Sequence, residues 1–158
     1  MRIRLLTIAA VLALGLAAPL AAQNQFGGQL SVGDDTDFGL GARGVFGLQH
    51  ALNAPLNVIA SFDYFFPGSN VTYWELNGEL AYVIPGVRGS ILPYVGSGLN
   101  LAHASVSGGG LNNSNTDLGL NLLAGTTFKT GRRITPFAEI RVELGGGDQF
   151  VVTGGVLF

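Results

Sequence analysis

Gln149-Phe150-Val151-Val152-Thr153-Gly154-Gly155-Val156-Leu157-Phe158 ends the sequence, and the reading of this stretch decides the fold. Phe150, Val152, Gly154, Val156 and Phe158 share one parity, which is apolar or glycine throughout. Gln149, Val151, Thr153, Gly155 and Leu157 share the other, which is mixed. A period of two belongs to a β-strand with two unlike faces. A last strand has no later element to cover its edge, so that edge pairs with a strand already made. In a closed barrel the partner is the first strand. The stretch also has the ~9–11 residues that cross a bilayer at a tilt.

The same period runs back through the chain. In 25–33, Phe26, Gly28, Leu30 and Val32 oppose Gln25, Gly27, Gln29 and Ser31. In 38–49, Phe38, Leu40, Ala42, Gly44, Phe46 and Leu48 oppose a face that carries Arg43 and Gln49 and is expected to point inward. Leu56, Val58, Ala60, Phe62 and Tyr64 oppose Asn57, Ile59, Ser61, Asp63 and Phe65. Thr72, Trp74, Leu76, Gly78, Leu80 and Tyr82 oppose Tyr73, Glu75, Asn77, Glu79 and Ala81. In 92–102, Val95, Ser97, Leu99 and Leu101 face away from Tyr94, Gly96, Gly98, Asn100 and Ala102. Leu118, Leu120, Leu122, Ala124, Thr126 and Phe128 oppose Asp117, Gly119, Asn121 and Gly125. Ala138, Ile140, Val142 and Leu144 oppose Phe137, Glu139, Arg141 and Glu143. Turn residues separate these segments, and the polar stretch 103–116 reads as the longest loop. The expectation is eight antiparallel strands, all-β and up-and-down, with no helix after the leader.

The two faces are so unlike that they say which is wet. Charged residues are 11 % of the 158, against roughly 25 % in soluble domains, while hydrophobic residues are 47 %. The mid-strand charges crowd onto one face, too few to coat a soluble protein but suited to a narrow lumen. Eight strands enclose a space that side chains fill. Arg43 and Arg141 are expected to pair there with Asp63, Glu75, Glu79, Glu139 and Glu143, because buried charge needs such partners. The apolar face then meets lipid, with aromatics near the segment ends as an interfacial girdle. The reading is a transmembrane β-barrel. A soluble lipid-carrying barrel, with its faces reversed, is the alternative.

Residues 1–22 read as a cleaved secretory signal: Arg2 and Arg4, then an apolar core, then Pro19-Leu20-Ala21-Ala22 before Gln23. Residues 23–158 form one barrel domain, which leaves no room for an N-terminal plug. Without Arg2 and Arg4, six basic side chains remain against ten acidic ones, a balance that speaks against nucleic acid. An even strand number brings both ends of the barrel to one side, the periplasmic side in bacterial barrels. On this side fall Arg88, Lys129, Arg132 and Arg133; Asp34, Asp35, Asp37, Asp148 and the long polar stretch fall on the other.

No cysteine is present, so disulfides and thiolate metal sites are excluded. His50 and His103 lie in connections at opposite ends and share no metal. The glycine triplets lack the Lys-Ser/Thr of a phosphate loop. No nucleophile-elbow sequence occurs, and no Ser/His pair of the kind used by membrane-embedded lipid A deacylases lies on one strand. No catalytic residue, cofactor or metal is expected.

The stretches Leu92-Pro93-Tyr94-Val95-Gly96-Ser97-Gly98-Leu99, Thr135-Pro136-Phe137-Ala138-Glu139-Ile140-Arg141-Val142-Glu143-Leu144 and Gly154-Gly155-Val156-Leu157-Phe158 resemble the outer membrane β-barrel family of the OmpA and OmpX type. The resemblance covers about 23–158. It implies a cell outer membrane location, contact with outer membrane lipids and lipopolysaccharide, and a monomer. It also implies that Phe158 is the terminal aromatic read by the barrel assembly machinery. The peptidoglycan-binding domain that follows the barrel in full-length OmpA-type proteins is not expected here. The role it suggests is structural, in envelope integrity or in surface interaction through 103–116. A narrow pore or transporter for small solutes is the alternative.

Overall fold

The structure, a computed structural model, describes residues 24–68, 71–108, 111–145 and 148–158. The leader read at 1–22 and the turn tips 69–70, 109–110 and 146–147 lie outside the described residues. Eight strands close into one barrel: β1 (Gln25–Gly33), β2 (Asp37–Gly47), β3 (Leu56–Phe65), β4 (Val71–Val83), β5 (Ile91–Gly108), β6 (Leu111–Phe128), β7 (Thr135–Leu144) and β8 (Gln149–Leu157). Every neighbouring pair is antiparallel, and β8 closes onto β1 from Gly27↔Leu157 to Gly33↔Val151. Phe158 adds backbone bonds in both directions with Phe26, of 2.8 and 3.4 Å. The terminal stretch is thus a paired strand with no free edge.

The parities separate as two surfaces. Leu30, Leu76, Leu99, Leu122, Ile140 and Val152 stand between 47 and 53 % exposed on the outside. Their chain neighbours Gln29, Ser31, Asn77, Asn100, Asn121, Glu139, Arg141 and Val151 are at most 5 % exposed inside. This is a globular protein turned inside out, with the polar face as its core. Outer aromatics meet in pairs near the strand ends: Phe26 with Phe46 at 5.7 Å, and Phe38 with Phe66 at 6.4 Å.

Inside, three of the bulky rings face a glycine on a neighbouring strand. Phe65 lies opposite Gly39, Tyr94 opposite Gly125, and Phe137 opposite Gly155. A Cβ on Gly125 would fall 2.5 Å from the Tyr94 hydroxyl oxygen, and one on Gly39 would fall 2.8 Å from the Phe65 ring. These glycines make room for the rings beside them in the crowded lumen.

Three expectations change. Residues 103–108 and 111–116 are no loop: β5 and β6 run on as a hairpin paired from His103↔Thr116 to Gly108↔Leu111. On this ribbon Asn113 to Asp117 are exposed on both parities, so the alternation that marks a lipid-facing strand is not required there. Asp117 has the inward parity yet is exposed, because its strand stands above the rim at that point. Only Leu120–Thr127 of β6 pair with β7, so among the described residues 111–119 have a partner strand on the β5 side alone. Finally, β2 ends at Gly47, and Gln49–Leu52 form a four-residue helix, α1, ended by Asn53 in the left-handed region at φ 50°. Gln49 sits on α1, exposed rather than lumenal, and the chain is not wholly free of helix.

Candidate functional site in the lumen

β3, β4 and β7 present the charged side chains, and their register brings them to one level. Arg141 of β7 is the centre. Its Nε lies 2.6 Å from Glu143 Oε1, and its Nη2 lies 3.1 Å from Glu75 Oε2 and 3.9 Å from Asp63 Oδ2. Its Nη1 lies 3.9 Å from Glu79 Oε1. All five side chains are 0 % exposed. One level nearer the chain ends, Arg43 of β2 bonds both oxygens of Glu139 through Nη1 at 3.0 Å and Nη2 at 2.5 Å. This is the fork-on-fork geometry in which arginine binds a carboxylate most strongly. The Arg43 guanidinium also lies 4.4 Å above the centre of the Phe137 ring. The seven charged residues therefore fall into two groups: Arg141 with Asp63, Glu75, Glu79 and Glu143, and Arg43 with Glu139.

Amides and hydroxyls fill the spare positions. Gln29 donates to both Asp63 oxygens at 2.7 and 2.9 Å, and Ser31 donates to one at 3.1 Å. Gln149 bridges Glu75 at 2.6 Å and Glu143 at 2.8 Å. Tyr73 donates to Glu75, Tyr94 to Glu139, Asn100 to Glu143, and Asn121 to Glu79. Reading for charge alone passes over Gln29, Tyr73, Tyr94 and Gln149. Their inward parity beside acidic strands is the signal that finds them. Five carboxylates meet two guanidiniums, so these neutral donors hold the excess acid in place.

Apolar layers bound the polar one. Toward the hairpin end, Phe65, Tyr73, Ala102 and Val151 pack together. Toward the end where β1 begins, Ile59, Ala81, Tyr94 and Leu123 pack with Val45 and Val83. Beside this second cluster lies a cavity of about 120 Å³.

The remaining candidates do not converge. His103 is on β5, not in a loop; its ring stacks on Trp74 at 5.0 Å, and its Nδ1 lies 2.7 Å from Thr116 Oγ1. His50 is on α1, at the other end. Asp34 Oδ1 accepts the Phe150 N–H at 2.8 Å, and Asp148 Oδ1 accepts the Gly145 N–H at 2.6 Å, so these rim acids fasten turns. Among the described residues no three His, Asp or Glu side chains are grouped to hold a metal.

A closed eight-stranded up-and-down barrel with an apolar exterior and a charged, packed lumen is the architecture of the small outer membrane β-barrels, and the chain has that fold. It is similar to the N-terminal barrel domain of Pseudomonas aeruginosa OprF, with a TM-score of 0.69 at 14 % identity over 86 % of this chain and 97 % of that one. It is also similar to Neisserial surface protein A, with a TM-score of 0.64 at 16 % identity over 85 % and 94 %. A third similar structure is Ail, the attachment invasion locus protein of Yersinia pestis, with a TM-score of 0.53 at 17 % identity over 85 % and 93 %. No family model matches the chain, and no curated protein is similar to it in sequence.

Proposed function

We propose that this chain is a monomeric, non-enzymatic structural barrel of the bacterial outer membrane. It is exported by the segment 1–22 and embedded among outer membrane lipids and lipopolysaccharide. The barrel assembly machinery recognises its terminal strand through Phe158. The charges at Arg43, Asp63, Glu75, Glu79, Glu139, Arg141 and Glu143 are structural and hold the strands around a filled lumen. The role is envelope integrity or surface contact, the latter through the hairpin of β5 and β6. That hairpin extends beyond β7, and among the described residues 111–119 have no partner strand on that side; such an edge is a ready partner for another chain.

The observation that carries this reading is the inverted polarity, with leucines outside at about half exposure and Arg141 at 0 % inside. A soluble lipid-carrying barrel requires the reverse. The packed lumen also speaks against the pore: the side chains of Arg43 and Glu139 are 1 % and 0 % exposed. On cell fractionation the protein is expected in the outer membrane and, unboiled, should migrate as a compact species that slows on boiling. Recovery from the soluble periplasmic fraction without detergent would contradict the proposal. In planar bilayers the expectation is no step conductance, and regular steps would favour the pore.

A further inference from the structure

The cavity of about 120 Å³ lies in the lumen near the β1 start, and nothing in the structural role uses it. Its inner wall is Ile59, Ala81, Tyr94, Phe137 and Leu157, all at most 6 % exposed. Its roof is Arg43, whose charge the bidentate contact with Glu139 neutralises. The space ends there, because Arg43 and Glu139 are buried and the Arg141 layer is packed above them. Toward the barrel mouth the lining turns polar, at Gln25, Asn57 and Thr127. A second cavity shares the walls Gln25, Val45, Asn57, Val83 and Leu92 and continues outward past Gly47, Gln49 and Pro55. This is a dead-end pocket, apolar at its closed end and polar at its open one.

The charged side chains of the turns around this end are basic, while the terminal carboxylate of Phe158, paired with Phe26 beside the mouth, is a negative group among them. Arg88, Lys129, Arg132 and Arg133 lie in the exposed connections at this end, and the ionisable side chains of the described connections here include no carboxylate. The acidic turns, with Asp34, Asp35 and Asp148, lie at the opposite end. Fields of this kind raise the local concentration of ligands of opposite charge.

We propose that this pocket binds a small single-chain carboxylate from the side on which the barrel termini lie. The apolar tail enters between Ile59, Ala81 and Leu157. The carboxylate stays at the mouth, among the amides of Gln25 and Asn57 and in the field of the basic turns. A cavity of about 150 Å³ holds one benzene ring, so the closed part takes a tail of about four to six carbons. The neutralised roof offers no site for a second buried charge, which orients the ligand tail-first. The pocket's dead end makes this binding rather than passage. The inference is independent of surface contact through the hairpin and rests on the barrel reading alone.

The test uses the full barrel in phosphatidylcholine nanodiscs, with the methyl resonances of Ile59, Leu92 and Leu157 followed while hexanoate, hexan-1-ol or hexylammonium is added. Hexanoate should shift these methyls saturably, about fivefold more tightly than hexan-1-ol and more tightly still than hexylammonium, with the preference fading in 0.5 M salt. Ala81→Phe fills the closed end and should abolish binding of all three. Should that variant fail to fold, Arg132→Glu with Arg133→Glu, on an exposed turn, should remove the hexanoate preference and leave hexan-1-ol unchanged. No saturable shift with any of the three overturns the pocket. Equal binding of hexanoate and hexan-1-ol overturns the assignment to a carboxylate. The barrel itself is checked separately by its unboiled gel mobility, so loss of the pocket and loss of the fold are distinguishable.

Discussion

Arg141→Ala is expected to lower the stability of the folded barrel by about 3–5 kcal/mol, the typical cost of removing one partner from a buried ion pair. Arg141 stands between Asp63, Glu75, Glu79 and Glu143, and all of these side chains are shielded from water. Without the guanidinium, four carboxylates share one level with neutral donors only. Arg133→Ala is the control. It removes the same charge from an exposed turn, and its midpoint should stay near wild type. The readout is the urea midpoint of the barrel in vesicles, for both variants side by side. Equal midpoints would mean that the Arg141 level is hydrated and the lumen is not the packed core described above.

Leu122→Lys should impair folding into vesicles far more than Asn121→Lys. The two residues are adjacent on β6, but Leu122 is 53 % exposed on the outer face, whereas Asn121 is 0 % exposed in the lumen. Lysine facing lipid at the bilayer midplane costs roughly 2–4 kcal/mol. Leu120 looks central from the sequence, but it is the residue at which β6 first pairs with β7, so Leu122 lies deeper in the continuous wall. A lysine at Asn121 meets the Glu79 carboxylate that Asn121 now contacts at 2.9 Å, within a lumen that has acid to spare. Crowding adds some cost, since the site is closed to water. If refolding titrations show Asn121→Lys to be the more damaging, lipid and lumen are exchanged.

Much of this barrel is legible from the sequence, because lipid imposes a strict rule on alternate residues. Wherever a strand passes through the apolar band, one parity must be apolar, and Phe150 to Phe158 display this as plainly as Phe38 to Phe46. The rule lapses outside the band. Asn113 to Asp117 lie on a ribbon exposed on both faces, so asparagine and serine there look like a loop while the backbone ladder continues. Gln49 fails for a related reason: the alternation leading to it continues past the strand end, and nothing in the side chains marks where α1 begins. Parity also tells direction but not height. It places Arg43, Arg141 and their acids inside, yet the separation into two levels depends on strand stagger. The terminal cavity is likewise hidden, since Ile59, Ala81, Phe137 and Leu157 come together only when four strands are set in register. The glycines opposite Phe65, Tyr94 and Phe137 become meaningful through the same register.

Trp74 gives the most direct test of the claim that the apolar face meets lipid. It is the one tryptophan of the chain, on the outer parity of β4 beside Phe62 and His103, so the native protein carries its own probe. In vesicles of lipids brominated along the acyl chain, its emission should be blue-shifted and strongly quenched, most by bromines near the headgroup, and only weakly reached by aqueous acrylamide. Emission that brominated lipid leaves unchanged and acrylamide quenches would contradict the lipid-facing assignment.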